Sequence, residues 1–177
     1  MTHALRGRLL VATTAMNDPN FDRTVVFLIE HGPDGAVGVV INRPLDMPVA
    51  EALPEWASVA ASPAVLYAGG PVGHENALAL RAAADLDDQI IDGVAMADLS
   101  DPPLDAAGSP VRIYSGYSGW DGGQLEGELA VGAWWVFDAT AHDIFAGDPE
   151  SVWPAVLRRQ GGDFRVLAQY PKAPWLN

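Results

Sequence analysis

The chain has 177 residues and no cysteine, which is one domain's worth of sequence and excludes disulfides, thiol chemistry and cysteine-ligated metals. Its 23 acidic and 10 basic residues give a formal net charge of −13, spread over both halves: residues 1–88 carry 11 acids and 5 bases, residues 89–177 carry 12 and 5. Nucleic-acid binding draws most of its affinity from Lys and Arg on phosphates, so a chain whose one lysine is Lys172 and whose one basic doublet is Arg158-Arg159 is disfavoured as a direct reader of DNA or RNA, and the same field opposes anionic membranes.

At the N-terminus, Arg6 and Arg8 precede an apolar stretch, Leu9 to Met16, that holds two threonines and ends at Asn17-Asp18. That is short and weak for a secretory signal. The longest apolar run, "LAVGAWWVF" at 129–137, is about half of the roughly 20 residues a spanning helix needs. The expectation is a cytoplasmic protein with no membrane partner.

Residues 8–14 read as a first strand. "RTVVFLIEH" (23–31) and "GAVGVVINRP" (35–44) are β-branched apolar runs joined by "GPDG", which predicts a β-hairpin. Successive positions are apolar in both strands, so both of their faces should be covered. A short helix is predicted around 48–57, with Asp46 near its start and Pro54 ending or kinking it. "AVLYAGGPV" (64–72) is a strand running into a turn at Gly69, Gly70 and Pro71. "NALALRA" should pair nearby, and "QIIDGVAMA" (89–97) is a strand interrupted at Gly93 by a bulge. Residues 82–111 contain seven aspartates and no Lys or Arg, in a spacing that lacks the register of a calcium loop; a solvated acidic edge is the plainer reading. "VRIYSGYSGW" (111–120) is a strand, "GGQLEGELAVGAW" a helix, "WWVFDA" a strand. Residues 149–160 form the last long helix, capped by Asp148 or Ser151, striped by Trp153, Val156 and Leu157, and stopped by Gly161-Gly162. Arg158 and Arg159 sit at the negative end of its dipole.

Four blocks then carry a resemblance: "GRLLVATTAMNDPNFDRTVVFLIEHGPDGAVGVVINRP", "AGGPV", "GYSGWDGGQLEGEL" and "GAWW". In order and spacing they resemble the YqgE/AlgH family of bacterial proteins, over residues 7 to about 170. The resemblance implies an α+β fold in which a bent, largely antiparallel β-sheet wraps into a pseudo-barrel with flanking helices, here as a single domain over 1–177. It implies little about activity: the family is largely uncharacterised, and some members are labelled transcriptional regulators.

"GYSGW" raises the question of a nucleophile elbow, which needs glycine two residues either side of the serine. Gly116 fits before Ser118, but Trp120 stands after it, and in the family's pattern the serine position is usually alanine. The motif reads instead as a joint, with Gly116, Gly119, Gly122 and Gly123 turning the chain, Trp120 buried as an anchor, and Gln124 and Glu126 near the positive end of the following helix. His31 follows Glu30 at a strand end, so their side chains should diverge, and with His3, His74 and His142 scattered no metal spacing emerges. No cofactor motif is present either.

The polar residues around the first hairpin are Asp18, Arg23, Glu30, His31, Asn42 and Arg43. Either an arginine pairs with Asp18 or Glu30 to hold strand ends together, or the group opens a pocket with an arginine ready for a carboxylate or phosphate. With Trp120, Gln124 and Glu126 they are the candidate ligand or partner contacts, while Gly69, Gly70, Pro71, Gly116 and Gly119 are structural. The expected function is non-catalytic binding or regulation through a protein partner or small ligand. The alternative is an enzyme, a hydrolase for instance, with Glu30 or Asp18 as general base.

Overall fold

The computed structural model describes residues 5–13, 23–83, 88–101 and 109–169. The strands are β1 (Arg8–Ala12), β2 (Val25–Gly32), β3 (Gly35–Val40), β4 (Pro44–Pro48), β5 (Val65–Ala68), β6 (Val72–Ala82), β7 (Gln89–Ile91), β8 (Val94–Ala97), β9 (Val111–Asp121) and β10 (Trp134–Asp138). They form one curled sheet in the order β10-β1-β2-β3-β9-β6-β8-β7, with β5 also beside β9 and β4 beside β5. Between strands, β5 with β9 is parallel and the other pairings are antiparallel. The helices α1 (Val49–Ala52), α2 (Gln124–Ala130), α3 (Ala141–Phe145), α4 (Val152–Gln160) and α5 (Gly162–Leu167) flank it. This is the expected α+β half-barrel. Among the described residues no helix is long and apolar enough to cross a membrane.

The unbroken apolar runs of the first strands have the consequence anticipated for them. Leu9, Val11, Val25, Phe27 and Val39 pack on one face against Ile144 and on Val152, Trp153, Val156 and Leu157 of α4. Leu10, Ala12, Val26, Leu28 and Val40 pack on the other against Trp120, Leu125 and Trp134. A strand's side chains alternate between faces, so covering both faces needs apolar residues at every position. A third cluster gathers Val49, Trp56 and Val59 over Ala79, Val111 and Ile113.

Three local expectations differ from the structure. Asp46 does not start a helix; it lies in β4, where pairing with β5 holds the chain extended between Pro44 and Pro48. The helix beyond is the single turn α1, followed by a 3-10 turn at Pro54–Val59. Gly93 is not a bulge within one strand but half of the Asp92-Gly93 turn between β7 and β8, at φ 86°, and Asp-Gly is a favoured two-residue hairpin loop. Gly161, at φ 74°, stops α4 as expected, but the chain then resumes as α5. The aspartates at 88, 92, 98 and 101 are exposed, as an acidic edge requires; those at 85, 87 and 105 lie outside the described residues. Arg159 grips Asp143 through both carboxylate oxygens at 2.9 Å, so its role is structural.

Arg112 was given no role by sequence, yet it is 1% exposed. Its guanidinium donates to the carbonyls of Ala61 (3.0 Å), Pro63 (3.1 Å), Ser62 (3.2 Å) and Ala146 (3.1 Å) and stacks 4.4 Å from the centre of the Tyr67 ring. Arg112→Met keeps the volume and removes the donors. Each orphaned buried acceptor costs about 1–3 kcal/mol, so a loss of roughly 3 kcal/mol or more is expected in a urea unfolding curve.

Candidate functional site

The open end of the β2–β3 hairpin is built around Asn42. Its side-chain oxygen accepts from the Val25 N–H (3.0 Å) and its amide donates to the Arg23 carbonyl (2.9 Å), extending the strand pairing one step past the backbone ladder. Between these bonds Arg23 takes φ 54°, the one non-glycine positive φ among the described residues, a conformation that persists only where surroundings enforce it. Its guanidinium sits 4.5 Å from the centre of the Trp153 ring, near the start of α4. Arg43 is fixed through its carbonyl, which accepts from the Ala68 N–H at 2.8 Å. Between these elements lies a groove of about 690 Å³ whose walls include Arg23, Asn42, Arg43, Leu45, Glu150 and Trp153.

The other end of the same hairpin holds a shallower cleft of about 370 Å³ bordered by Glu30, His31, Asp34 and Trp120. Glu30 and His31 diverge as expected. Glu30 is exposed, 4.0 Å from Arg6; His31 is buried, with Nε2 2.7 Å from Glu126 Oε1. The Glu126 carboxyl is held below its usual range, first by its own backbone N–H at the start of α2 and then by the His31 ring. Trp120 is buried as predicted, and its indole N–H donates to Glu128 Oε2 at 2.8 Å. Trp134 donates to the same oxygen at 2.8 Å, and Gln124 bonds the other carboxylate oxygen at 3.2 Å while accepting from the Asp121 N–H at 3.0 Å. Glu128 was missed by sequence reading. The signal was there in a carboxylate lying between two tryptophans, each of which needs an acceptor once buried.

The sequence-predicted residues therefore divide into two sites rather than one. Arg23, Asn42 and Arg43 meet at the groove; Glu30, His31, Trp120, Gln124 and Glu126 lie at the far end of the hairpin. Asp18 lies outside the described residues. Of the expected pairings, Glu30 faces Arg6 instead of Arg23 or Arg43.

The two glycine motifs turn out to be one contact. The Gly69 N–H donates to the Ser115 carbonyl (2.9 Å), and the Gly69 carbonyl accepts from the Val40 N–H (2.8 Å) and the Ser118 hydroxyl (3.2 Å). Gly70 and Gly116 sit back to back at φ 156° and 75°, and a Cβ on Gly116 would lie 2.7 Å from the Gly70 carbonyl oxygen. Pro71 follows directly, before β6 begins at Val72. Ser118 is thus a buried structural hydroxyl. Strand β9 runs straight through Gly119 to Asp121, so the corner lies at Gly122-Gly123, with Gly123 at φ 82°, and Gly119 is an ordinary strand residue.

Comparison with known proteins settles the relationship. A family model described as AlgH-like matches residues 9–165. The chain belongs to the AlgH-like family. Relatives called UPF0301 proteins include one from Thermobifida fusca, 43% identical over 98% of this chain and 96% of its own length, and one from Streptomyces coelicolor, 43% identical with the same coverage. Among solved structures, protein DIP2367 of Corynebacterium diphtheriae superposes with a TM-score of 0.85 at 27% identity over 94% of this chain and 92% of that one. The solution structure of AlgH from Pseudomonas aeruginosa gives 0.69 at 33% identity over 96% and 95%. The AlgH-like family is one of uncharacterised function, so its site chemistry rests on the geometry above.

Truncating the anchor of the AlgH-like joint, Trp120→Ala, removes a buried aromatic and is expected to cost about 3–5 kcal/mol in denaturant unfolding; a change below about 1 kcal/mol would make Trp120 a contact surface instead. A carboxyl whose folded pKa is depressed contributes stability that is present above its unfolded pKa and lost as pH falls through the folded one. Glu126→Gln should therefore lower the melting temperature at neutral pH, and the gap to wild type should close on acidification below the ordinary carboxylate range.

Proposed function

We propose that this AlgH-like protein is a non-catalytic binding protein of the cytoplasm, and that the groove at the open end of the first hairpin is where it meets a ligand or a short segment of a partner. The observation that carries this reading is the concentration of Arg23 and Arg43 in the larger of the two hairpin-end cavities of a chain with net charge −13. Its volume of about 690 Å³ is that of a small-ligand site, apolar walls with a few convergent polar groups. Arg23 is held in advance by Asn42 and Trp153, and such preorganisation reduces the entropic cost of binding. A regulatory role follows naturally if occupancy alters what the surface presents.

The alternative is an enzyme with Glu30 or Asp18 as general base; Glu30 is exposed beside Arg6 at the opposite end of the hairpin, and Asp18 lies outside the described residues. His31 spends Nε2 on Glu126.

A thermal-shift screen against metabolites, nucleotides and metals tests the groove. A ligand at about 100 times its Kd adds roughly 2.7 kcal/mol to the native state, and the resulting shift should vanish in Arg43→Ala. A shift that survives this substitution places the ligand elsewhere. Duplex DNA should show no retardation even at low salt, where phosphate contacts are strongest.

A further inference from the structure

Arg112, Tyr67 and Tyr114 bring a positive charge and three unspent polar atoms to one layer of the core. Arg112 and Tyr114 are two residues apart on β9 and share a face of it, and Tyr67 lies across from Tyr114 in the β5–β9 register. The two phenol rings meet edge to face with centroids 6.0 Å apart, and the guanidinium sits 4.4 Å from the centre of the Tyr67 ring. All three side chains are at most 1% exposed. Arg112 Nε and both phenol oxygens are buried with no hydrogen-bond partner among the described residues.

Buried polar atoms are paired in the great majority of cases, and an orphaned one costs stability. Arginine Nε can only donate, and a neutral phenol can donate its proton to any acceptor. The four carbonyls that receive the terminal nitrogens of Arg112 satisfy hydrogen bonds but leave its charge uncancelled. Asp148, whose charge reaches Tyr67, is exposed and spends its carboxylate on the Glu150 N–H; it forms no ion pair with Arg112. The chemistry that complements this set is an acceptor carrying one negative charge. We propose that Arg112 Nε and the hydroxyls of Tyr67 and Tyr114 bind a small monovalent anion, of the size and charge of chloride, inside the fold. Burial sets the size: side chains this enclosed admit a monatomic ion and exclude phosphate or a carboxylate on a larger body. Burial also raises the pKa of both phenols, against the pull of Arg112, so each keeps the proton it donates. The site is separate from the groove and asks nothing of Arg23 or Arg43.

Thermal unfolding of the purified protein in sodium chloride and in sodium gluconate, at matched ionic strength, separates a bound anion from general screening. The melting temperature should be higher in chloride, by about 2–4 °C once chloride exceeds its Kd about fivefold, and the rise should saturate. Tyr67→Phe and Tyr114→Phe keep the rings and remove one donor each. With folding checked by circular dichroism, the chloride increment should shrink in each variant and vanish in the double variant. Crystals grown in bromide should show an anomalous peak within hydrogen-bonding reach of the Tyr114 hydroxyl. Equal melting temperatures of the wild-type protein in the two salts would overturn the proposal. Phe variants destabilised equally in both salts would then assign a water to the hydroxyls, and Phe variants stabilised in both would show them orphaned. An increment that survives in the double variant would overturn it as well, by placing the anion elsewhere on the protein.

Discussion

A buried guanidinium holds this fold together without a carboxylate pairing with it among the described residues. Burying a charge costs several kcal/mol unless its hydrogen bonds are made, and Arg112 makes four through its two terminal nitrogens, all to backbone carbonyls, while its buried Nε has no hydrogen-bond partner among the described residues. Three belong to residues 61–63, between the 3-10 turn and β5, and the fourth to Ala146, between α3 and α4. Two loops 83 residues apart (63 to 146) are thereby joined through one side chain. Both of them lead to the groove. Tyr67, the ring under the guanidinium, precedes Ala68, whose N–H fixes Arg43. Two residues beyond Ala146, Asp148 caps the turn that presents Glu150. Arg112 thus braces both loops without lining the groove itself. Burial raises the phenol pKa of Tyr67, with Arg112 pulling the other way, and burial raises that of Tyr114 more strongly. Both rings stay neutral, which spares the interior a second charge.

Strand β9 is the other organising element. Its N-terminal part pairs with β6 on one edge and β5 on the other, and its C-terminal part pairs with β3. One strand therefore belongs to both halves of the curl, and Gly70 and Gly116 approach closely there, a Cβ on Gly116 falling 2.7 Å from the Gly70 carbonyl oxygen. No side chain fits between those two backbones. Beyond it, Trp120 carries β9 into the second core, where one Glu128 oxygen accepts from two indoles at once.

Much of this was legible in the residues. Runs such as "VVFLI" and "VGVV" announce strands covered on both faces, and Trp153, Val156 and Leu157 announce a helix facing the sheet; each signal is local and periodic. The family resemblance supplied the curl. What could not be read were the pairings between distant residues. His31 and Glu126 are 95 positions apart, and nothing near either of them indicates the other. Arg112, inside "VRIY", sits in an alternating strand where a charged residue would normally face water. Its burial depends on loop carbonyls that come together only after the chain has folded. Asn42 looked like one polar residue among several around the hairpin, yet its amide sets the backbone of Arg23. Asp92-Gly93 was a local signal that was misread, since the dipeptide marks a hairpin by itself.

The net charge of −13 also bears on what reaches the groove. Over distances beyond the Debye length, about 8 Å at physiological salt, the field of the chain is screened, but near the surface it repels an approaching anion. Arg23 and Arg43 set two cations against that field at the groove walls. An anion therefore meets the repulsion of the chain before it comes within reach of the groove, and only short-range, oriented contacts can outweigh that diffuse field.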